Sequence, residues 1–489
     1  MKLCHRTLSR SQLNTLAKLR EAGILVNNLV VLPNTSNTCL ANNGTHVSLG
    51  SIALSSCAAQ PSSGFTPSVE TYFGDLVIKI FEHFMPLLVT TCSAAPYRID
   101  YDDFHPEKVL GFLPHELDYT HLRMLWRRWK KKADITVFGR PITPFGPPLL
   151  DRLIALLCRT RGDLVPDFRL IDYLVALLST ETSPALSGML GGQELLKRDL
   201  ADMGVFDERM ALYLPCRLRD FRNKGFCGFE GRFYSLFPRL GDDLRTAVDI
   251  QNLITALAYR LALQGSICHA DIPDTPVCES ERRQIFFAAA IGIPTVYIRT
   301  DTANRLLAQI LTRVEDKRHS GRYRGYTRIT VRQYQRAVLT FIEQECPDLI
   351  EELQVAPSLQ ALRQQLLDPN DSAAQRLTCD IMKAAGYRQP PLAIPAERFN
   401  LASEAYYRNE LRLDHIKEGL AVLCEDCRQL ERDAKQLLQS ISTAQRPMHS
   451  PTDYLRRNER GVLDETLTPE NLLSLLTIML AVYSGRDQR

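Results

Sequence analysis

The sequence predicts an α+β fold with a central, mostly antiparallel sheet reaching to about residue 300, then a helical extension and a helical tail. One observation is GFEGRF (228–233), where charged and aromatic residues alternate with the two-residue period of a strand. A second is the tail, which carries a heptad pattern. A third is a run of apolar residues at helical spacing, at positions Ile250, Leu253, Ile254, Leu257 and Leu261.

Other segments place the remaining elements along the chain. Residues 22–60 are β-rich, and a strong helix follows that we expect Ser68 to cap and Pro86 to end. ESERRQIFFAAAIG (279–292) favours another helix, and Pro294–Asp301 a short strand. These assignments predict three domains: 1–301 for catalysis or binding, 302–388 as a helical extension, and 389–489 as a helical tail.

The heptad pattern of the tail leaves two interpretations open, an oligomerising coiled coil through 413–441 or an internal antiparallel hairpin. The apolar run Asn471–Tyr483 predicts a buried helix and an internal partner for the seam. The seam residues alternate at spacings of three and four: Leu413, Ile416, Leu420, Leu423, Cys427, Leu430, Ala434, Leu437 and Ile441.

Composition describes an ordinary globular protein, with 45% hydrophobic and 24% charged residues in 489. The 13 cysteines fit reduced thiols better than a disulfide framework, so we expect a cytoplasmic protein. We also expect no membrane span, because the strongest apolar run, Asn471–Tyr483, is too short. Within the tail, CEDC (Cys424–Cys427) has no second Cys pair, which favours packing over a zinc or redox site.

A basic segment, Lys317–Arg336, holds seven Lys or Arg, three Tyr and no acid. Such a pattern fits single-stranded nucleic acid, the phosphates of a nucleotide, or a solvated helix and loop. The net charge of +3 disfavours nucleic acid as a partner.

Glu230 and Arg232 share one face of the predicted strand, away from Phe229 and Phe233. Two interpretations are open: an exposed ion pair, or a site that binds a metal ion and an anion. A carboxylate binds a hard cation, and a guanidinium fork holds a carboxylate through two hydrogen bonds. A metal-dependent ligase needs both.

Several segments, in order, resemble the type 2 branch of the glutamate–cysteine ligase and carboxylate–amine ligase family. They are CLANNGTHVSLG (39–50), FMPLLVTTCSAAPYRID (84–100), DYTHLRMLWRRW (118–129), GFEGRFYSLFPRLGDDLRTAVDIQNLITALAYRLA (228–262) and ESERRQIFFAAAIGIPTVYIRTD (279–301). The shared order over residues 39–301 carries the resemblance, and the heptad tail lies outside it.

The resemblance implies a glutamine-synthetase-like fold and a ligase that uses ATP and Mg²⁺ to join an amino acid carboxylate to an amine through an acyl phosphate. It implies catalytic roles for Glu230 and Arg232, with His46 and Glu230 in the magnesium shell. Arg123, Arg232 and Arg98 would bind the substrate carboxylate or the transferring phosphate.

The acids that this family places before its Gly-x-His-Val strand have few counterparts here, because Glu21 is the only acid before Glu70. Substitutes could come from Asp100, Asp102, Asp103, Glu116 or Asp118. The acid-poor start also favours an alternative function, a catalytically inactive relative that serves as a binding or assembly module. A nucleic-acid-associated protein that uses Lys317–Arg336 is the second alternative.

Overall fold

A computed structural model describes residues 46–89, 91–92, 136–137, 140–141, 187–192, 195, 198, 216–218, 227–232, 237–275, 277–278, 281–282, 285, 289, 295–319, 325–391, 394, 396–433 and 450–486. The strands are β1 His46–Ser51, β2 Thr136–Val137, β3 Arg140–Pro141, β4 Cys216–Leu218, β5 Cys227–Arg232, β6 Thr295–Arg299, β7 Arg318–His319 and β8 Tyr326–Thr330.

Helices make up most of the described chain, in agreement with an α+β protein that is mainly helical. They are α1 Ile52–Ala59, α2 Pro67–Glu82, α3 Arg245–Leu263, α4 Arg305–Thr312, α5 Val331–Glu345, α6 Pro347–Glu352, α7 Ala356–Leu367, α8 Ala373–Ala384, α9 Ala396–Tyr406, α10 Arg412–Asp433, α11 Pro451–Leu463 and α12 Pro469–Arg486. Two π-helical turns, Leu240–Leu244 and Tyr407–Leu411, lead directly into α3 and α10.

One antiparallel sheet of three strands has the order β1–β5–β4, so β5 lies in the middle. The strand predicted around Glu230 and Arg232 is therefore confirmed. Helix α2 packs against β4 and β5 on one side and against α3 on another, which makes it a layer between the sheet and α3. The small sheet agrees with the coarse α+β class, and a glutamine-synthetase-like type stays a prediction.

Helix α2 begins and ends at different residues from those expected. Thr66, not Ser68, caps it: the Thr66 hydroxyl accepts a hydrogen bond from the Val69 amide at 3.3 Å. Pro67 then occupies the first turn, where its missing N–H costs nothing. The helix ends at Glu82, and Pro86 lies in a separate 3₁₀ turn, Met85–Leu87.

The β-rich character predicted for residues 22–60 is correct for β1 and wrong for α1. Residues 52–59 form a helix, in line with the high helix propensity of Ala and Leu in IALSSCAA. Residues 22–45 lie outside the described part of the chain.

The basic segment Lys317–Arg336 supplies β7, β8 and the start of α5, and β7 and β8 belong to a second antiparallel sheet with the order β6–β8–β7. The strand predicted at 294–301 is confirmed as β6. Tyr334 belongs to the core, where its hydroxyl donates to the His83 carbonyl at 2.9 Å. Burial removes Tyr334 from any base-stacking surface, so the aromatic part of the nucleic-acid interpretation is weaker than the sequence indicated.

A single hydrophobic cluster extends from Leu76 to Leu411 and draws on α2, α3, β6, α5 and α7. The helical pattern predicted for α3 is confirmed, because its five apolar positions are all buried. Core residues come from both sides of residue 301, and the predicted domain boundaries remain predictions.

The tail has a smaller cluster of its own, built from α10, α11 and α12 around Cys427, Leu455 and Ile478. Leu420, Leu423 and Cys427 of the heptad seam pack there, and α12 is the internal partner that the sequence predicted. Packing of Cys427 is also confirmed. Helix α12 is buried only on one side, however, and not all round as expected. Oligomerisation through 413–441 stays a prediction.

The contrast between two leucines of α3 tests this core. Leu257 is 0% exposed and Leu263 is 60% exposed. We expect Leu257→Ala to lower the free energy of unfolding by about 2–5 kcal/mol, because it leaves a cavity, and Leu263→Ala by less than about 0.5 kcal/mol. Urea unfolding followed by circular dichroism measures both, and equal losses would contradict the position of α3.

Candidate functional site

The sheet brings together residues that lie about 180 positions apart in the sequence. Strand β1 runs antiparallel to β5, with His46 opposite Arg232 and Ser48 opposite Glu230. Residues that face each other in an antiparallel pair lie on the same side of the sheet. His46, Ser48, Glu230 and Arg232 therefore share one face.

Strand β4 adds a residue that the sequence analysis did not identify. Arg217 is opposite Glu230 on the other side of β5, so it lies on the same polar face. A signal was present: Arg217 lies between Cys216 and Leu218 with the two-residue alternation of a strand. Strand β4 has only three residues, however, which is too few to predict a strand from alternation alone.

The opposite face of this sheet is apolar and small. Val47 and Cys216 pair with Gly231, and Leu49 and Leu218 pair with Phe229. Apart from Ser51, which is opposite Cys227 at the end of β1, polar residues lie on one face and apolar residues on the other. The separation supports a one-sided polar site and follows from the strand period alone.

Other predicted site residues cannot be placed. Arg98 and Arg123 lie outside the described residues, as do the substitute acids Asp100, Asp102 and Asp103. Glu116 and Asp118 are also outside them. Within the described part of the chain, no group of three or more His, Cys, Asp or Glu side chains is arranged to hold a metal ion.

Helix α2, beside this sheet, carries a buried row of charged residues. Lys79 is 0% exposed, and its ammonium contacts His269 Nδ1 at 3.1 Å and the Ile272 carbonyl at 3.0 Å. The Asp274 carboxylate makes an ion pair with it. An ammonium group has three hydrogens, and these three partners account for all of them.

His269 connects this lysine to the start of α2. Its Nε2 lies 2.9 Å from the Tyr72 carbonyl, so Nε2 donates and Nδ1 accepts from Lys79. Burial lowers the pKa of His269, which agrees with a neutral ring. Gly188 (φ 78°) packs so close to the ring that an added Cβ would lie 2.9 Å from His269 Nε2.

Asp75 lies one helical turn before Lys79 and is 3% exposed. Its Oδ2 accepts a hydrogen bond from the Gly188 amide at 2.9 Å. Burial raises the pKa of Asp75 to about 7, against the lowering effect of that hydrogen bond and of Lys79. The row thus holds segments 187–188 and 268–274 on α2 through hydrogen bonds to backbone groups and one ion pair.

A second buried set lies at the end of α2. Arg282 Nε is 2.6 Å from Glu82 Oε2, and both side chains are almost fully buried. His83 donates from Nδ1 to the Lys79 carbonyl at 2.7 Å and accepts at Nε2 from the Asn304 amide at 2.8 Å. Burial, and then the nearby Arg282, lower the pKa of His83 to about 3, so the ring is neutral.

Asn304 also caps α4, because its Oδ1 accepts from the Leu307 amide at 2.9 Å. The buried set therefore couples α2 to α4. We interpret both buried sets as structural, because they position α2, against which β4 and β5 pack.

No protein-family model, curated protein or solved structure matches this chain. Among the described residues, no helix is long and apolar enough to cross a membrane.

The raised pKa of Asp75 makes stability depend on pH. The unfolded carboxyl loses its proton near its ordinary pKa of 3.8, whereas the folded one keeps it to about pH 7. Stability from this group is therefore complete below about pH 4 and is lost as pH rises to about 7. In wild type we expect the free energy of unfolding to fall by roughly 2–4 kcal/mol between these limits because of Asp75. Asp75→Asn should abolish this fall, since an amide does not titrate, while its oxygen still accepts from Gly188.

Urea unfolding of wild type and Asp75→Asn at a series of pH values measures this difference. Asp301→Asn is the matched control, because Asp301 is an exposed carboxyl. Its curve should run parallel to that of wild type. An Asp75→Asn curve that also runs parallel would show that Asp75 titrates normally in the folded protein.

Proposed function

We propose that the chain is an ATP- and Mg²⁺-dependent carboxylate–amine ligase of the glutamate–cysteine ligase type. The observation that carries the proposal is the strand register, which puts His46, Glu230 and Arg232 on one face of a three-stranded sheet. These are three of the five residues that the resemblance assigned to metal and anion binding. Glu230 and Arg232 share a face because they are two residues apart in one strand, whereas His46 joins them only through the pairing of β1 with β5.

The donor set on this face fits magnesium bound together with a nucleotide. Mg²⁺ is usually held by one or two carboxylates, with water and substrate phosphates completing its shell. Glu230 supplies a carboxylate, and His46 is a neighbour on the same face. Mg²⁺ would spread the negative charge of the transferring phosphoryl group.

The arginines of this face have the complementary role. Arg232 and Arg217 lie on either side of Glu230 in the face, one along β5 and one across it on β4. A guanidinium fork binds a carboxylate or a phosphate oxygen pair and fixes its orientation. Two forks beside one carboxylate would align an acceptor carboxylate with a γ-phosphoryl group, which is most of what phosphoryl transfer requires.

The proposed reaction has two steps. The substrate carboxylate oxygen attacks the γ-phosphorus of ATP and ADP leaves, which gives an acyl phosphate. An amine then attacks the acyl carbon, inorganic phosphate leaves, and an amide forms. A small-molecule amino acid is the expected acid substrate, and an amino acid or another amine is the expected acceptor.

Glu230→Gln tests this function because it removes the charge and keeps the shape. With Mg-ATP, glutamate and a panel of amines that includes cysteine, we expect ADP release by wild type. The variant should be slower by on the order of 100-fold, since it loses a metal ligand. A coupled assay for ADP measures both rates.

Glu352→Gln is the control, because Glu352 is an exposed carboxylate on the distant helix α6. Arg217→Gln should also slow the reaction if β4 belongs to the site. Equal turnover by wild type and Glu230→Gln would refute the assignment. No turnover and no thermal shift with millimolar Mg-ATP would leave the inactive binding module as the better description.

One observation favours the assembly role as a second candidate function. Helix α12 exposes six large apolar side chains, and no charged residue lies between Glu470 and Arg486. Exposed apolar surface of this extent is typical of protein interfaces. Antiparallel pairing of two copies of α12 would place Glu470 of each copy near Arg486 of the other, so the surface is complementary to itself in charge. The six are Leu472, Leu473, Leu476, Met479, Leu480 and Tyr483.

Light scattering on the full chain tests this candidate. We expect a dimer that Leu473→Glu and Leu480→Glu convert to a monomer, because each variant buries a charge at the interface. Leu401→Glu is the matched control, since Leu401 is equally exposed, at 63%, on α9. A wild-type chain that is monomeric at high concentration would rule out assembly through α12.

A further inference from the structure

A groove with a volume of about 590 Å³ lies where the tail meets the core, away from the sheet face described above. This size is typical of sites for small molecules. One wall belongs to α8, and the other belongs to the π-helical turn Tyr407–Leu411 and the start of α10. Its lining residues are Pro238, Arg239, Arg376, Asp380, Lys383, Ala384, Tyr406, Glu410, Leu411, Asp414, Lys417 and Glu418.

Both π-helical turns of the described chain border this groove. Tyr407–Leu411 supplies two lining residues, and Leu240–Leu244 follows directly after lining residue Arg239. Glu418 of α10 links its wall to the turn Leu240–Leu244, because its carboxylate accepts from the Leu240 amide at 2.7 Å. A π-helical turn is rare, and such turns are frequent at functional sites.

Several of the charges that line the groove are already paired. Arg376 pairs with Asp243, which is fully buried. Arg239 lies 3.4 Å from Asp242, and Lys417 lies 3.3 Å from Asp414. The partly buried Arg376–Asp243 pair holds its wall in place, whereas the other two pairs are exposed and leave Arg239 and Asp414 accessible to a ligand.

Three lining charges make no ion pair or hydrogen bond with any residue that the structure describes: Asp380, Lys383 and Glu410. Asp380 and Lys383 are on α8, and Glu410 is on the opposite wall. The groove therefore offers acids on both walls and a free cation on one. Burial raises the pKa of Asp380, although Arg239 and Lys383 are near it.

Tyr406 is the most informative residue of the lining. Its side chain is 8% exposed, and its hydroxyl has no hydrogen-bond partner within the described residues. A phenol hydroxyl can both donate and accept a hydrogen bond, so it is available to a ligand in the groove that it lines. Burial and the nearby acids, Asp380, Asp414 and Glu410, raise the pKa of this phenol.

We propose that this groove binds a small zwitterion that carries an ammonium group and a carboxylate, such as an amino acid or a short peptide. The ammonium group lies among Asp380, Glu410 and Asp414 and donates to the Tyr406 oxygen. The carboxylate lies against Lys383 and Arg239. An ammonium group alone leaves Lys383 without a partner, and a carboxylate alone leaves Asp380 and Glu410 without one. The affinity therefore depends on both ends of the ligand.

Such a ligand bridges α8 of the core and α10 of the tail, because its partners come from both. Binding therefore also stabilises the docking of α10. The inference does not rest on the ligase proposal, since none of the groove residues belongs to the sheet face.

The experiment uses the full chain and peptides whose ends can be blocked. L-alanine, dialanine and trialanine are titrated by calorimetry, together with N-acetyl-trialanine and trialanine amide. We expect at least one probe with free ends to bind and to raise the melting temperature. Blocking either end of trialanine should weaken its binding about tenfold or more, since one charged contact is lost.

Variants locate the site. Glu410→Gln and Lys383→Gln should each weaken the best probe about tenfold, because each removes one free charge. Glu352→Gln and Arg332→Gln are matched controls, since both are exposed charges outside the groove, and they should bind as wild type does. Circular dichroism verifies that each variant is folded.

No binding by any probe with free ends would overturn the proposal. Equal binding by free and blocked trialanine would also overturn it, as would binding that neither groove variant changes. The ligase assay is independent, because turnover that requires Glu230 is unaffected by loss of this groove.

Discussion

The burial of α2 is the constraint on which the rest of the structure depends. From Gly74 to Glu82 every residue of this helix is buried, including Asp75, Lys79 and Glu82. A charge inside a protein is costly unless a partner meets it, so each of these residues demands a neighbour at hydrogen-bond distance. Segments 187–188, 268–274 and 281–282 provide them, and α2 is thereby fixed in orientation between the sheet and α3.

The three-stranded sheet packs against this helix. Strands β4 and β5 pack against α2, and β1 pairs with β5 in a register that collects His46, Arg217, Glu230 and Arg232 on one face. A shift of the β1 register by one residue would move His46 to the other face of the sheet. The ligase proposal therefore depends on register, which the three-stranded sheet fixes through both neighbours of β5.

The two proposed sites differ in how they are built. The sheet face places charges on extended strands, where the two-residue period separates polar from apolar residues. The groove is formed by helices and by one π-helical turn, Tyr407–Leu411. Its charges come from four separate stretches of chain: 238–239, 376–384, 406–411 and 414–418. The tail is attached to the core through this groove, by Glu418 on the amides of Leu240 and Gly241. His415 of α10 adds a second link, because its Nε2 lies 2.8 Å from the Phe237 carbonyl. The small cluster around Cys427 lies within the tail itself.

The sequence by itself determined the elements whose signal is local. Helical spacing identified α3, alternation identified β5, and the heptad seam identified α10 together with its partner α12, because period and burial are linked within a single element. Only the tertiary structure decided which distant segments lie next to each other. It placed Arg217 opposite Glu230, buried Tyr334 of the basic segment, and formed the groove that Tyr406 lines. Those outcomes depend on contacts between distant segments, and no local period in the sequence reports such contacts. In the same way, the burial of Asp75 and Lys79 is possible only because the folded chain brings their partners to them.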